Sequence, residues 1–173
     1  MPWPGSAISP ECVGRGAFKG LKVIKSVLVV CIGNICRSPV GERVLQAGLL
    51  LDGPPGITVT SAGLGALVGH GPDAAAQQVA AAHGLSLDGH AARQLTAEMA
   101  AAQDLILVME PRHRQEIGRI APQLLGKVML FDHWTGAKGI ADPYKLSREF
   151  HELTFVAIEA AGQAWAARLA KPK

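Results

Sequence analysis

One short segment of the chain combines the residue types needed to bind an anion and to attack it. It reads Cys31-Ile32-Gly33-Asn34-Ile35-Cys36-Arg37-Ser38. Gly33 and Asn34 readily adopt the left-handed backbone that lets successive N–H groups turn towards one anion. Arg37 offers a planar guanidinium that can bind two phosphate oxygens at once. Cys31 would lie beneath that anion, where the same N–H groups favour a nucleophilic thiolate.

The same residues also occur in other kinds of site. Ser38 can donate a hydrogen bond to the thiolate and so make it a better leaving group. The alternative interpretation of Cys31 is a small buried hydrophobic residue, which is the usual role of a cysteine in an apolar strand. A zinc site is disfavoured, because Cys31 and Cys36 supply two ligands and no second Cys or His pair follows at ligand spacing. A nucleotide-binding loop is disfavoured, because no Gly-Lys-Ser/Thr follows. We therefore expect no metal and no organic cofactor.

The segment lies where a predicted strand meets a predicted helix. Residues 27–32 form a short, β-branched apolar run, as expected of a strand that is buried on both faces. Ser38 is predicted to cap a helix that extends to about Leu51, with Pro39 in its first turn. A helix N-terminus favours bound anions, which agrees with a phosphate loop at this place.

Strands and helices alternate along the rest of the chain. Further strands are predicted at 57–60, 105–109 and 127–131, and helices at 73–84, from Thr96, at 111–121 and from Ser147 to about 171. The buried stripe of the last helix is predicted to consist of Phe150, Leu153, Ala157, Ala160 and Ala164. This order predicts a single doubly wound α/β domain, in which a four-stranded parallel sheet has helices on both faces and the phosphate loop follows the first strand.

Composition excludes several classes of protein. The 173 residues are 49% hydrophobic and 18% charged, which excludes wholesale disorder and suits one domain. Residues 1–25 are rich in Gly and Pro and are predicted to be a flexible extension, with the domain at 26–173. The excess of 17 Lys and Arg over 14 Asp and Glu lies in that extension, so nucleic-acid binding has little support.

Cysteine usage and hydropathy bear on location. No apolar run approaches the ~20 residues of a spanning helix, so no stable membrane insertion is expected. Three cysteines cannot form a disulfide framework, which favours a reducing, cytoplasmic setting.

Several motifs in the same order resemble the low-molecular-weight protein-tyrosine phosphatases, in particular the bacterial branch associated with exopolysaccharide and capsule production. The resemblance covers about residues 26–170 and rests on Val30–Pro39, Ser61–Gly69, His90–Gln94, Leu105–Glu110 and Asp142–Tyr144. It implies that Cys31 attacks phosphorus and becomes a phosphocysteine, while Arg37 and the N–H groups of the loop hold the phosphoryl oxygens. It also implies that Asp142 is the general acid that protonates the leaving tyrosine oxygen.

The same resemblance assigns supporting roles. Asn34 would hold a strained backbone through a network with Ser38, Ser61 and His90. For Ser61 and His90, a loop hydroxyl and an exposed histidine are the alternative interpretations. Cys36 would close a disulfide with the nucleophile and protect it from irreversible oxidation, unless it is simply a small packing residue.

The resemblance also implies a deep cleft with apolar walls. Tyr144 would form one wall, with Ile32 and Leu67 as its apolar companions. Such a cleft suits phenyl phosphate and leaves phosphoserine too short to reach Cys31. The expected partner is a phosphotyrosine protein, and the branch points to a membrane tyrosine autokinase that controls polysaccharide export.

Of two other functions known on this scaffold, arsenate reduction is disfavoured and one alternative stays open. Arsenate reductases share this loop but need further cysteines downstream, and none follows Cys36. A catalytically weak phosphotyrosine-binding or redox-sensing protein is the main alternative, and turnover distinguishes it from an enzyme. Outside the motifs, Arg112, His113 and Arg114 are interpreted as a solvated helix face.

Overall fold

The computed structural model describes residues 23–170, so nearly all of the predicted extension lies outside the described residues. The strands are β1 Ser26–Cys31, β2 Thr58–Gly63, β3 Leu105–Val108 and β4 Val128–Leu130. The helices are α1 Arg37–Asp52, α2 Ala74–Ala82, α3 Ala97–Ala101, α4 Pro111–Ile120 and α5 Arg148–Ala170, with a 3-10 turn at Pro122–Lys127.

The four strands form one parallel sheet in the order β2-β1-β3-β4. Val29 at the centre of β1 pairs with Ser61 of β2 and with Leu107 of β3. Because β1 is a central strand, the loop that follows it opens at the middle of the sheet edge where parallel strands end. The predicted fold class is confirmed.

Apolar clusters cover both faces of the sheet. One face of β1 and β3 packs against α1 and α5, and this cluster includes Val29, Leu107, Leu45 and Ile158. The opposite face packs against α3, α4 and the 3-10 turn. Successive side chains of a strand point to opposite faces, so burial on both faces explains why β1 is apolar throughout.

The start of α1 differs from the prediction. The helix begins at Arg37, one residue before Ser38, which was the expected cap. Ser38 therefore lies inside the first turn and is not the N-cap. Cys36 holds the N-cap position without a side-chain hydrogen bond. Side chains cap α2 and α3, since Asp73 accepts from the N–H of Ala76 and Thr96 from the N–H of Met99, each at 3.1 Å.

The predicted buried stripe of α5 is wrong. Phe150 and Leu153 are 52% and 69% exposed, and Ala157 and Ala160 are exposed as well. The buried face consists of His151, Phe155, Ile158, Ala161, Gly162, Trp165 and Ala166. Apolar residues occur all round this alanine-rich helix, so its periodicity does not distinguish the face that meets α1. None of the helices within residues 23–170 has the length and apolar character needed to cross a membrane.

Candidate active site

The loop between β1 and α1 is held by its carbonyl groups. The carbonyl oxygens of Cys31, Ile32 and Gly33 accept hydrogen bonds from the N–H groups of Leu64, Gly65 and Leu67, at 2.9, 3.0 and 3.1 Å. Within residues 23–170, no N–H group of 33–36 donates to a protein acceptor. The N–H groups are therefore free for an anion at the N-terminus of α1, which is the arrangement of an oxyanion-binding loop.

A glycine permits the close approach of the segment that holds the loop. A Cβ atom on Gly63, the last residue of β2, would overlap the carbonyl oxygen of Ile32. Residues 64–67 follow directly and supply the three hydrogen bonds to the loop. Any side chain at this position would push the two segments apart.

The sulfur of Cys31 lies at the base of this loop. Cys31 is 3% exposed, and its Sγ lies 3.0 Å from the hydroxyl oxygen of Ser38. That hydroxyl oxygen also accepts a hydrogen bond from the side-chain amide of Asn34, at 2.8 Å. A thiolate can only accept, so in that form the single proton of Ser38 is donated to sulfur. The first turn of α1 thus places a hydrogen-bond donor beside the nucleophile.

Asn34 is the centre of a buried hydrogen-bond network. Its φ is +56°, in the left-handed region that non-glycine residues rarely adopt. The side-chain amide donates to Ser38 and to Ser61, the latter at 3.0 Å, and Oδ1 accepts from the N–H of Arg93 at 2.9 Å. Nε2 of His90 donates to the carbonyl oxygen of Asn34 at 2.6 Å. These bonds offset the strain of a conformation that turns the loop inward.

The network ends in a carboxylate that sequence analysis did not identify. The hydroxyl of Ser61 donates to Oε2 of Glu42 at 2.5 Å. Asn34 donates to both serines, and Glu42 accepts from Ser61. Each hydrogen bond in the network between the N–H of Arg93 and Sγ of Cys31 therefore has one possible donor. Glu42 and Arg93 lie outside the phosphate loop, and the distance of neither residue from the loop along the chain indicates that it belongs to this network.

Arg37 is buried and points into the same cleft. Its side chain is 1% exposed, and Nη1 donates to Oε1 of Glu110 at 2.5 Å and to the carbonyl oxygen of Ile140 at 2.8 Å. Nη2 lies 3.1 Å from Oδ2 of Asp142. Its Nε is buried without a hydrogen-bond partner among the described residues. A buried guanidinium N–H without a partner fits an anionic ligand, because such donors are rarely left unsatisfied.

Glu110 is a second carboxylate that the sequence did not single out. Burial alone would raise its pKa, but hydrogen bonds from Arg112 and Arg37 and the charge of Arg37 lower it below the usual value. Glu110 is therefore ionised at neutral pH. The prediction of a solvated face at 112–114 is wrong for His113, which is fully buried and accepts from the N–H of Glu110 through Nδ1 at 3.2 Å.

The cleft above Cys31 is walled by apolar side chains. It encloses about 550 Å³ including its open mouth. Its lining residues are Cys31, Ile32, Gly33, Ile35, Cys36, Arg37, Gly65, Leu67, Asp142 and Tyr144. Leu67 and Tyr144 are 39% and 41% exposed. The structure thus brings the predicted nucleophile, cation, acid and wall residues together around one cleft.

Cys36 lies in the same loop and is also buried. Burial raises the pKa of its thiol well above the usual value, and the charges of Asp73, Cys31 and Asp142 add to this effect while Arg37 opposes it. Cys36 is therefore a neutral thiol at physiological pH. Among residues 23–170, Cys31 and Cys36 are both free, and no cluster of three or more His, Cys, Asp or Glu is arranged to hold a metal ion.

The sequence matches a family of known proteins along most of its length. The family model for low molecular weight phosphotyrosine protein phosphatase matches residues 26–173. The chain belongs to this family. Etp of Escherichia coli (strain K12), named a low molecular weight protein-tyrosine-phosphatase, is 52% identical over 146 residues that cover 84% of this chain and 95% of Etp.

Other members of the family agree with this assignment. Wzb of Salmonella typhimurium, which carries the same description, is 48% identical over 147 residues, covering 85% of this chain and 95% of Wzb. The crystal structure of the tyrosine phosphatase AmsI of Erwinia amylovora superposes with a TM-score of 0.80 at 50% identity. That superposition covers 86% of this chain and 95% of AmsI.

Proposed function

We propose that this member of the family hydrolyses phosphotyrosine in proteins through a phosphocysteine intermediate. The observation that carries the proposal is the cleft that holds Cys31, Arg37 and Asp142 between the apolar walls formed by Leu67 and Tyr144. The names of Etp, Wzb and AmsI as tyrosine phosphatases support the same activity.

The first half of the proposed reaction forms the phosphoenzyme. The thiolate of Cys31 attacks phosphorus while the bond to the tyrosine oxygen breaks. The N–H groups of the loop and the guanidinium of Arg37 stabilise the charge on the equatorial oxygens. Asp142, at the mouth of the cleft, gives its proton to the leaving oxygen, so that neutral tyrosine departs.

The second half releases phosphate. Asp142, now a carboxylate, accepts a proton from the water that attacks phosphorus. The bond between phosphorus and sulfur breaks, and the hydroxyl of Ser38 stabilises the departing thiolate of Cys31. Asn34 with Ser61 and His90 keeps the loop in its binding conformation throughout.

The depth of the cleft would set the choice of substrate. When a phenyl ring lies between Leu67 and Tyr144, the phosphoryl group of phosphotyrosine reaches Cys31. The side chain of phosphoserine is too short for its phosphoryl group to reach the same sulfur. We further propose that the substrate is a membrane tyrosine autokinase of polysaccharide production, as the resemblance to the capsule-associated branch implies. A thiol nucleophile that needs a reducing compartment supports a cytoplasmic location.

The proposal is tested by hydrolysis of a phosphotyrosine peptide and its matched phosphoserine peptide. Turnover confined to phosphotyrosine, absent in Cys31→Ser and strongly reduced in Asp142→Ala, is the expected result. Stoichiometric binding of the phosphotyrosine peptide without turnover would reject the enzyme in favour of a binding or redox-sensing protein. Deletion of the phosphatase gene is expected to raise the tyrosine phosphorylation of the kinase and to change polysaccharide output. If neither changes, the kinase is excluded as the substrate.

A further inference from the structure

The carboxylate of Glu110 lies between two guanidinium groups. Its Oε1 accepts from Nη1 of Arg37 at 2.5 Å and from Nη2 of Arg112 at 3.0 Å. Its Oε2 lies 2.9 Å from Nε of Arg112. Arg112 therefore contacts both carboxylate oxygens, through a hydrogen bond at Oε1 and a close ion-pair contact at Oε2, while Arg37 shares Oε1.

The two arginines differ in their relation to the cleft. The side chain of Arg37 is 1% exposed and lines the cleft, whereas that of Arg112 is 62% exposed and does not line it. Arg112 comes two positions after Glu110 and lies in the first turn of α4. It can therefore act on a ligand in the cleft only through Glu110 and through its charge.

We propose that Arg112 is a positioning residue that fixes Glu110, so that Arg37 keeps both its orientation and its charge available for the phosphoryl group. The inference rests on the proposed function only in taking a phosphoryl group as the ligand of the cleft. It adds a residue of α4 that supports, without lining it, the oxyanion site formed by the loop and Arg37.

Geometry gives the first reason for this role. A carboxylate held by one guanidinium at one oxygen can rotate about its side-chain bonds, and Arg37 would then lose one of the contacts that orient it, beside those with Ile140 and Asp142. The planar guanidinium of Arg112 contacts both oxygens and so restricts this rotation, which the single ammonium group of a lysine cannot do in the same way. Glu110 then presents Oε1 at a fixed point to Nη1 of Arg37, and the orientation of the whole guanidinium, including the unpartnered Nε, is kept.

Charge gives the second reason. Glu110 alone would neutralise Arg37, while Glu110 with both arginines leaves a net charge of +1 beside the phosphate site. Asp142 also forms an ion pair with the guanidinium of Arg37, and its carboxylate offsets more of the positive charge. Arg112 thus restores positive potential at a site that binds a dianion. Most exposed ion pairs contribute little, but a guanidinium that contacts both oxygens of a carboxylate only 21% exposed is expected to contribute more.

The experiment compares three variants of the full chain by titration with inorganic phosphate. Arg112→Ala is expected to bind phosphate about three-fold to ten-fold more weakly than the wild type. Arg112→Lys is expected to recover part of that loss, because it keeps the charge but lacks a planar group that contacts both carboxylate oxygens. Arg119→Ala is the matched control, since Arg119 is an exposed residue of α4 that pairs with Glu116 at 2.6 Å, and it is expected to bind phosphate like the wild type.

Steady-state kinetics with phenyl phosphate give a second readout. Arg112→Ala is expected to raise KM by a similar factor, to leave kcat within about two-fold, and to melt at the temperature of the Arg119→Ala control. Equal phosphate affinity in Arg112→Ala and Arg119→Ala would overturn the proposal. So would full recovery by Arg112→Lys, because the paired geometry would then be irrelevant. Phosphate titration needs no turnover, so it remains decisive even if phosphotyrosine is not the substrate.

Discussion

The carboxylate of Asp142 forms an ion pair with the guanidinium of Arg37, with 3.1 Å between Oδ2 and Nη2. The group proposed to protonate the leaving oxygen therefore contacts the group proposed to bind the phosphoryl oxygens. A bound dianion and Asp142 then compete for the same cation. Protonation of Asp142, which its role as an acid requires, removes that competition.

This pair predicts opposite effects of one substitution on binding and on turnover. Asp142→Asn is expected to bind inorganic phosphate several-fold more tightly, because Arg37 loses a competing carboxylate. Its kcat for phenyl phosphate is expected to fall by about 10²- to 10³-fold, because the acid is lost. The measurements are the inhibition constant of phosphate and kcat, with the exposed Asp88→Asn as control. Weaker phosphate binding together with lower kcat would show that Asp142 has only a structural role.

Ser38→Ala is expected to slow the second chemical step. Without the hydroxyl 3.0 Å from Sγ of Cys31, the thiolate is a poorer leaving group and the phosphocysteine accumulates. We expect kcat to fall by about ten-fold to hundred-fold, with a burst of phenol in rapid-mixing experiments, since a good hydrogen bond to a charged group is worth about 1.5–3 kcal/mol. Ser86→Ala, which changes an exposed serine, is the control. A loss of rate without a burst would place the effect before the phosphoenzyme.

His113 predicts a fall in stability at mildly acidic pH. Burial, together with the charge of Arg37, lowers the pKa of His113 to about 4, while Glu110 opposes the shift and Arg112 adds to it. As pH falls below about 6.5, the unfolded chain binds a proton here and the folded chain does not, so the free energy of unfolding decreases. The decrease is on the order of 3 kcal/mol by pH 4.

Urea unfolding at several pH values measures this effect. His113→Gln, which preserves an acceptor at this position of α4, is expected to flatten the dependence between about pH 6.5 and 4. His70→Gln, in an exposed loop, is expected to retain it. An unchanged slope in His113→Gln would assign the pH dependence to other groups.

Cys36 predicts a pH-dependent protection against peroxide. Peroxide oxidises the Cys31 thiolate to a sulfenic acid, and the Cys36 thiolate then attacks its sulfur and releases hydroxide as the disulfide forms. Because burial raises the pKa of Cys36 above its usual value, that attack is slow at neutral pH and accelerates as pH rises. The test is the activity that dithiothreitol restores after peroxide, at pH 7 and pH 9. Wild type is expected to recover more than Cys36→Ala, and by a larger margin at pH 9; equal recovery would assign Cys36 to packing.

The sequence identifies the parts of this protein whose residue type alone is informative. The apolar run of β1 and the loop after it predict a central strand and an oxyanion site, because few other structures need that combination. The start of α1 could not be predicted, because Ser38 is a good cap residue but bonds to Cys31 and Asn34 instead. Tertiary contacts override the local preference there.

Residues that act through other residues were missed for a related reason. Glu42 and Glu110 are ordinary helix and helix-start residues in the sequence, and only the fold brings them to Ser61 and Arg37. The buried face of α5 was misplaced because alanine and larger apolar residues alternate around the helix. No pattern along one helix reports which face its neighbour covers.

The hydrogen bonds from residues 64–67 to the carbonyl groups of the phosphate loop have a kinetic consequence. These bonds come from the protein itself and involve no ligand, and Gly63 lets the two segments approach closely. We therefore expect the loop to be preformed before an oxyanion enters. An entering oxyanion therefore has no segment to order and only water to displace. Its association should follow a single exponential whose rate rises in proportion to concentration without a plateau, as for encounter with a preformed receptor.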